Sequence, residues 1–237
     1  MRVAVSMRVV AEPATGERRD ALSHDWLRWL DRWGVTPVMV PNTPASPADF
    51  MRSLEVGGIL LSSGNDVAPQ PGERWEGSAD VSLERDRTER AMLTYAIEQR
   101  LPVLGVCRGL QLINVHWGGA LSRAVRRHAP SIAHAGAIHA VAIREPRWQA
   151  ILGAERVMTN SFHRHGVVRG TLAPKLVAWA EAAGGVVEGL AHPTLPILGI
   201  QWHPERPQVD PAVSDRLMRE WLAWCATAAP KPAACAS

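Results

Sequence analysis

Residues 102–109 read Pro-Val-Leu-Gly-Val-Cys-Arg-Gly, and no other stretch constrains the fold as strongly. An apolar run with strand character ends at Gly105-Val106-Cys107-Arg108-Gly109, and Leu110, Leu112, Ile113 and Val115 then follow with helical spacing. Strand, Gly-x-Cys-x-Gly turn, helix is the cysteine form of a nucleophile elbow. Small neighbours are needed because the central residue has a strained backbone and the helix approaches closely. The turn projects the sulfur beyond the carboxyl end of a sheet and sets Cys107 at a helix N-terminus, where N–H groups favour thiolate and can hold an oxyanion. The alternative is a buried structural cysteine in a strand-to-helix loop.

A thiol nucleophile needs a base, and the base needs an orienting group. Residues 197–205 read Ile-Leu-Gly-Ile-Gln-Trp-His-Pro-Glu, an apolar strand running into His203-Pro204-Glu205. Two residues apart in an extended segment, His203 and Glu205 point to one side, and Pro204 keeps His203 extended. His203 is then the candidate base for Cys107, with Glu205 fixing its tautomer. Taken alone, His-Pro-Glu reads as a strand-end turn; paired with the elbow it reads as half of a site.

With these segments together, the chain resembles the class I glutamine amidotransferases, in the branch of free-standing γ-glutamyl hydrolases (peptidase C26, the γ-glutamyl-γ-aminobutyrate hydrolase-like group). The resemblance rests on Gly57–Val67, Arg85-Asp86-Arg87-Thr88-Glu89, the elbow with Gln111, Asn160-Ser161-Phe162-His163, and Gly199–Glu205, in that order. It implies an α/β, three-layer, flavodoxin-like fold with a mostly parallel central sheet. It also implies Cys107, His203 and Glu205 as catalytic triad, no cofactor, and hydrolysis of a γ-glutamyl amide through a γ-glutamyl thioester.

A tetrahedral intermediate requires two N–H donors. One is the N–H of Arg108, after the nucleophile; the resemblance puts the second near Gly64. Ser63 and Asn65 depart from the glycine-rich pattern of relatives, although asparagine tolerates a left-handed turn. Asp66 reads as a cap of that turn. The resemblance places Asn160–His163 on the acyl pocket, so Gln111, Ser161 and His163 are the candidate ligands for the glutamyl group. His163 and His165 have the spacing of a metal pair, but no Cys or carboxylate cluster in the sequence completes such a site, and no metal is expected. The Arg85–Glu89 run is either a helix-start charge network or a support for the active-site loop. Arg8 follows the first strand, and Arg18-Arg19 read as the opening of the first helix. Arg8 and Arg19 are candidate ligands for an anionic leaving group, against a reading as surface arginines. With Ser-Gly-Asn-Asp and Asn-Ser-Phe-His, these arginines are similar to the γ-glutamyl-CDP-amidate hydrolase branch. Alternatives are a glutaminase subunit that supplies ammonia to a separate synthetase, and a non-catalytic binding protein on the same scaffold.

Alternating strands and helices fill the first half: strands at Val3–Ser6, Pro37–Val40, Gly58–Leu61 and Val103–Val106; helices over Asp20–Trp33, Pro47–Glu55 and Leu83–Gln99. Such alternation implies a parallel sheet covered on both faces. Short strands follow at Ala137–Ile143, Val157–Asn160, Leu176–Ala180, Val186–Glu188 and Ile197–Trp202, and a last helix begins after Asp210-Pro211. The expected organisation is one domain over 1–226 and a disordered Ala/Pro-rich tail over 227–237. The chain has 237 residues, 46% of them hydrophobic, enough for one sizeable core. Its net charge of +3 comes from scattered arginines without a long basic run, which excludes a nucleic-acid footprint. Three cysteines make no disulfide framework, and no segment has membrane-spanning length, so a cytoplasmic small-molecule enzyme is expected. A homodimer or a docking synthetase is the expected partner. The ten tryptophans, mostly at helical spacing, read as core, with Trp202 behind the site and Trp117 and Trp75 as pocket candidates.

Overall fold

In the computed structural model, residues 1–43, 45–70, 80–130, 135–207 and 210–228 are described. Trp75, Cys235 and the tail from 229 onward lie outside them. The elements are β1 (Arg2–Ser6), β2 (Arg8–Ala11), β3 (Arg18–Ala21), α1 (His24–Arg32), β4 (Thr36–Val40), α2 (Pro47–Ser53), β5 (Ile59–Leu61), α3 (Leu83–Gln99), β6 (Val103–Val106) and α4 (Arg108–His116). They continue as β7 (Ala135–Ile143), α5 (Pro146–Leu152), β8 (Arg156–Phe162), β9 (Val167–Val168), β10 (Val177–Glu181), β11 (Val186–Ala191), β12 (Ile197–Ile200) and α6 (Pro211–Ala228).

The main sheet runs β4-β1-β5-β6-β12-β11-β10-β7-β8, with β9 added beside β11. Its first half is parallel, from β4 through β12. The second half is antiparallel throughout. The sheet is therefore mixed rather than mostly parallel. Helical crossovers join the strands of the first half. Beyond residue 135, shorter connections and a single short helix favour antiparallel neighbours. Strand alternation sends side chains to two cores. Val3, Val5, Leu60, Leu104 and Ile200 join one cluster, with Trp26 of α1, Trp148 of α5 and Trp221 of α6. Ala4, Ile59, Leu61, Val103 and Ile197 join the other, with Met51 of α2, Met92 of α3 and Leu110 of α4. This gives three layers, with helices on both faces. Six tryptophans sit in the first cluster, so the core reading of tryptophan holds there.

The elements differ from expectation at identifiable places. Helix α1 starts at His24, capped by Ser23, rather than at Asp20. Arg18–Ala21 instead pairs with Arg8–Ala11 as an antiparallel hairpin. The Asp20 carboxylate is engaged by the N–H and amide of Asn42, at 2.8 and 2.6 Å, which anchors the hairpin to the end of β4. Strand β12 ends at Ile200, short of Trp202. Helix α6 continues through Ala228, so the domain boundary expected at 226/227 falls inside a helix. Among the described residues, no helix is long and apolar enough to cross a membrane.

The elbow depends on the absence of a side chain at Gly109. A Cβ there would fall inside the contact distance of the Leu61 carbonyl oxygen, 2.9 Å from Leu61 Cβ and 3.1 Å from the Leu61 carbonyl carbon. Backbone cannot yield as a flexible side chain does, so Gly109→Ala pushes α4 off β5. We expect it to lower unfolding free energy by about 1–3 kcal/mol, the usual cost of overpacking, measured by urea denaturation.

Candidate active site

Cys107 stands between β6 and α4 with φ 53° and ψ −100°. A non-glycine residue held there stores roughly 1–3 kcal/mol of strain and persists only when its surroundings fix it. The Cys107 N–H donates to Ile200 O of β12 at 2.8 Å, and Gln111 N–H donates to Cys107 O at 3.2 Å. The residue is 8% exposed.

His203 arrives from β12, whose register sets Ile200 opposite Val106. Its Nδ1 lies 2.7 Å from Glu205 Oε1, and both side chains are buried. The Cys107 thiol and the imidazole act on each other electrostatically, each favouring the charged form of the other. Asn160 of β8 clamps the same segment. Its Oδ1 accepts from His203 N–H at 2.9 Å, and its Nδ2 donates to His203 O at 3.0 Å and to Pro207 O at 3.2 Å. The Phe162 ring meets the imidazole edge-on, with centroids 5.6 Å apart. Trp202 is fully buried behind the site and meets Trp179 edge-to-face. In sequence, Asn160 belongs only to a pocket-lining motif; its role as a backbone clamp follows from a strand pairing invisible there.

The electrostatics favour charge separation. Burial pushes the Cys107 thiol up, but the charge and hydrogen bond of His203, with the charge of His163, outweigh it, and the thiol lies below its ordinary value. Burial alone would lower His203. Cys107 and Glu205 reverse that and raise it to about 9. Cys225 is the internal control: it is buried in α6 and pushed up to about 12 by desolvation.

The loop after β5 faces the elbow. Gly64 (φ 86°) and Asn65 (φ 52°) both take left-handed backbone. Asn65 is paired with β2: its Oδ1 accepts from Val9 N–H at 2.8 Å and its Nδ2 donates to Val9 O at 2.9 Å. Arg85 at the start of α3 is fully buried and donates to Gly64 O at 2.6 Å and Ser62 O at 2.8 Å. Its Nε donates to Glu89 Oε1 at 2.9 Å. The buried Arg108 guanidinium, from the elbow, pairs with Glu89 and Asp86. Of the two readings of the Arg85–Glu89 run, loop support is the one these contacts favour.

The remaining predicted residues divide. Gln111 is buried, its Nε2 donating to His165 O at 3.0 Å. Ser161 is fully buried on β8. Arg8 lies over the loop, its Cδ and Nε each 3.3 Å from where a Gly64 Cβ would stand, and it pairs with Asp80 at 3.5 Å. Arg19 lies on β3, largely exposed, and pairs with Glu17; it opens no helix. Asp66 does more than cap a turn: it faces His165 Nδ1 at 3.1 Å and accepts from Asp80 N–H at 3.1 Å. The His163–His165 metal pair is therefore not formed. His163 Nε2 instead lies 3.5 Å from Glu188 Oε1, and so does His139 Nε2. The premise that no carboxylate accompanies His163 is overturned. Glu188 and His139 carry no local signal in the sequence because they sit on strands β11 and β7, remote from each other along the chain.

Residues 3–205 match the sequence profile of the Peptidase C26 family. A glutamine amidotransferase-type protein of Schizosaccharomyces pombe is 34% identical over 159 residues, covering 63% of this chain and 62% of its own length, so the chain spans under two thirds of that relative. The γ-glutamyl-γ-aminobutyrate hydrolase of Escherichia coli O157:H7 is 28% identical over 228 residues, covering 89% and 88% of the two chains. The γ-glutamyl-CDP-amidate hydrolase of Campylobacter jejuni is 24% identical over 225 residues, covering 94% and 98%. Among solved structures, a GMP synthase-type protein of Thermoplasma acidophilum superposes with TM-score 0.66 at 20% identity, over 96% and 94% of the chains. The fold is thus the class I glutamine amidotransferase-like α/β fold.

The ion network generates a stability prediction. Glu89→Gln removes a charge shared by two buried guanidinium groups. Breaking a buried pair costs about 3–5 kcal/mol, because the remaining charges stay desolvated. We expect a loss of that size in chemical denaturation, together with faster hydrogen exchange at Ser62–Asn65.

Proposed function

Because the chain belongs to the Peptidase C26 family of amide-hydrolysing, glutamine amidotransferase-like proteins, we propose that it is a cysteine-dependent γ-glutamyl amide hydrolase. What supports this reading is the strained Cys107 elbow together with the buried His203–Glu205 pair, 2.7 Å apart, whose imidazole charge lowers the Cys107 thiol. Cys107 thiolate adds to the γ-carbonyl carbon, and the oxyanion is held by the N–H of Arg108 and an N–H of the Gly64 loop. The protonated His203, oriented by Glu205, gives its proton to the leaving nitrogen as the C–N bond breaks, leaving a γ-glutamyl thioester. His203 then takes a proton from water, the hydroxide adds to the thioester, and glutamate leaves with Cys107 regenerated. The acyl pocket lies on the Ser161–His163 side.

For the leaving group, the relatives offer γ-aminobutyrate and a cytidine diphosphoramidate, both anionic. Arg8 over the Gly64 loop supports an anionic group on that side. Glutamate release by the purified chain and by Cys107→Ala, over glutamine, γ-glutamyl-γ-aminobutyrate and γ-glutamyl-CDP-amidate, tests the reading. Release from a γ-glutamyl amide with glutamine poor, abolished by Cys107→Ala, is expected. Release from glutamine alone, or only after a synthetase is added, moves the protein to ammonia supply; Cys107-independent release ends the proposal. Arg8→Ala is expected to raise KM several-fold for the phosphorylated substrate and to leave glutamine turnover unchanged.

The thiolate–imidazolium pair also fixes a pH profile. Below the lowered thiol value, Cys107 is protonated and the nucleophile is lost; above about 9, His203 loses the proton needed by the leaving group. kcat/KM should therefore be bell-shaped, with an alkaline limb near 9 and an acid limb below the ordinary thiol range. A profile that simply rises through the ordinary thiol range, as for a free thiol, contradicts the ion pair.

A further inference from the structure

Three buried side chains, far apart in sequence, meet on the antiparallel half of the sheet. They are His139 of β7, His163 just after β8, and Glu188 of β11, and their donor atoms all lie within 4.8 Å of one another. Each imidazole Nε2 is 3.5 Å from Glu188 Oε1. The opposite ring atoms face backbone carbonyls: His163 Nδ1 is 3.0 Å from His165 O, and His139 Nδ1 is 3.4 Å from Ala140 O. A carbonyl only accepts, so each Nδ1 carries a proton and each Nε2 is the ring atom turned to Glu188, free to ligate once it gives up any proton it holds. A backbone carbonyl behind Nδ1 is also the usual outer support of a metal-binding histidine.

The spacing has a specific size. A charge-assisted N–H···O contact closes to about 2.7–2.9 Å. The donor–donor edge of a tetrahedron with bonds of about 2.0–2.1 Å is about 3.3 Å, the geometry of a zinc centre. Two imidazoles and one carboxylate, the three candidate ligands among the described residues, are a borderline nitrogen–oxygen set that suits Zn²⁺ rather than Mg²⁺ or Ca²⁺. The strands hold two of the ligands rigidly. His163 Nδ1 and Gln111 Nε2 both face His165 O, and Gln111 N–H donates to Cys107 O, so one carbonyl links the cluster to the first turn of α4, which Cys107 heads; the charge of His163 acts on that thiol.

We propose that His139, His163 and Glu188 form a binding site for one zinc-type divalent cation, and that its occupation switches off hydrolysis at Cys107. Occupation takes His163 from the acyl pocket and replaces its charge with one fixed on Glu188 and His139. The inhibitory half rests on the reading of Cys107 as nucleophile; the binding half does not.

The test separates the two. Bound zinc is measured by titration calorimetry with Zn²⁺ and by elemental analysis after gel filtration, using Cys107→Ala so that the thiol–His203 pair cannot hold the ion. One equivalent per chain is expected, weakened more than about tenfold in Cys107→Ala/His139→Gln, since loss of an outer-shell partner alone costs about 10–100-fold. Absence of stoichiometric binding in Cys107→Ala, or unchanged affinity after His139→Gln, overturns the site. Should the double variant not fold, Co²⁺ in the Cys107→Ala protein decides: intense visible bands and two paramagnetically shifted exchangeable ring N–H signals support two histidine ligands, and fewer overturn them. In the unsubstituted chain, Zn²⁺ should stop glutamate release reversibly with EDTA, and His139→Gln should keep basal release while needing at least about tenfold more Zn²⁺. Zinc binding without inhibition of an active enzyme overturns the switch. Zinc binding by a chain that hydrolyses no amide overturns the nucleophile reading and leaves the site standing.

Discussion

The arrangement at the elbow depends on a buried ionic lattice, Arg85–Glu89–Arg108–Asp86. Burying four charges carries a desolvation cost of several kcal/mol per ion, which pairing only offsets. A chain selected for stability alone would put apolar side chains there. What the lattice provides is relative position. Arg85 reaches from α3 to the carbonyls of Ser62 and Gly64, and Arg108 reaches from the elbow to the carboxylates on the same helix. The loop after β5 and the elbow are thereby both referred to α3. Because each guanidinium is planar and forked, the contacts fix angle as well as distance.

The same scaffold gives two cysteines opposite chemistry. Cys107 and Cys225 are both buried and both reduced. Desolvation raises each thiol, and for Cys225 no neighbouring charge answers it. Cys107 differs because His203 and His163 supply positive charge and it stands at the head of α4. Reactivity is thus set by a few neighbouring groups, and burial by itself predicts inertness.

Sequence reading succeeds where a motif is local. The elbow, the β5 loop and α3 over Leu83–Gln99 are each fixed by residues within a few positions, through apolar periodicity, a Ser82 cap and obligatory glycines. It fails where a partner far along the chain decides. Arg18–Ala21 carries three charged residues and no apolar alternation; it is a strand because Asp20 finds Asn42 and its backbone finds β2. Helix α5 is a single short run that begins at Pro146 after Glu145, with only Trp148 and Leu152 buried, too few to show a period. The antiparallel half of the sheet, the Asn160 clamp and the His139–Glu188 contact all depend on strand order, which no local pattern encodes. Asn65, a departure from the glycine pattern, is explained by its two hydrogen bonds to Val9, which a glycine could not make.

Strand order also explains why the site lies where it does. β12 is the seam of the mixed sheet, parallel to β6 on one side and antiparallel to β11 on the other. The parallel half ends in the loop after β5 and the elbow; the antiparallel half carries Asn160, His163 and Glu188. Only a strand at the seam can deliver a residue to both. His203 leaves that strand where its charge lowers the Cys107 thiol on the parallel side, and in the grip of Asn160 on the other. A one-residue slip of β12 against β6 would reverse which side chains face each core and carry His203 away from the sulfur. The register is held against that by burial of Leu198 and Ile200 in one core and Ile197 in the other. Core packing and the placement of His203 relative to the elbow are therefore specified by the same short strand.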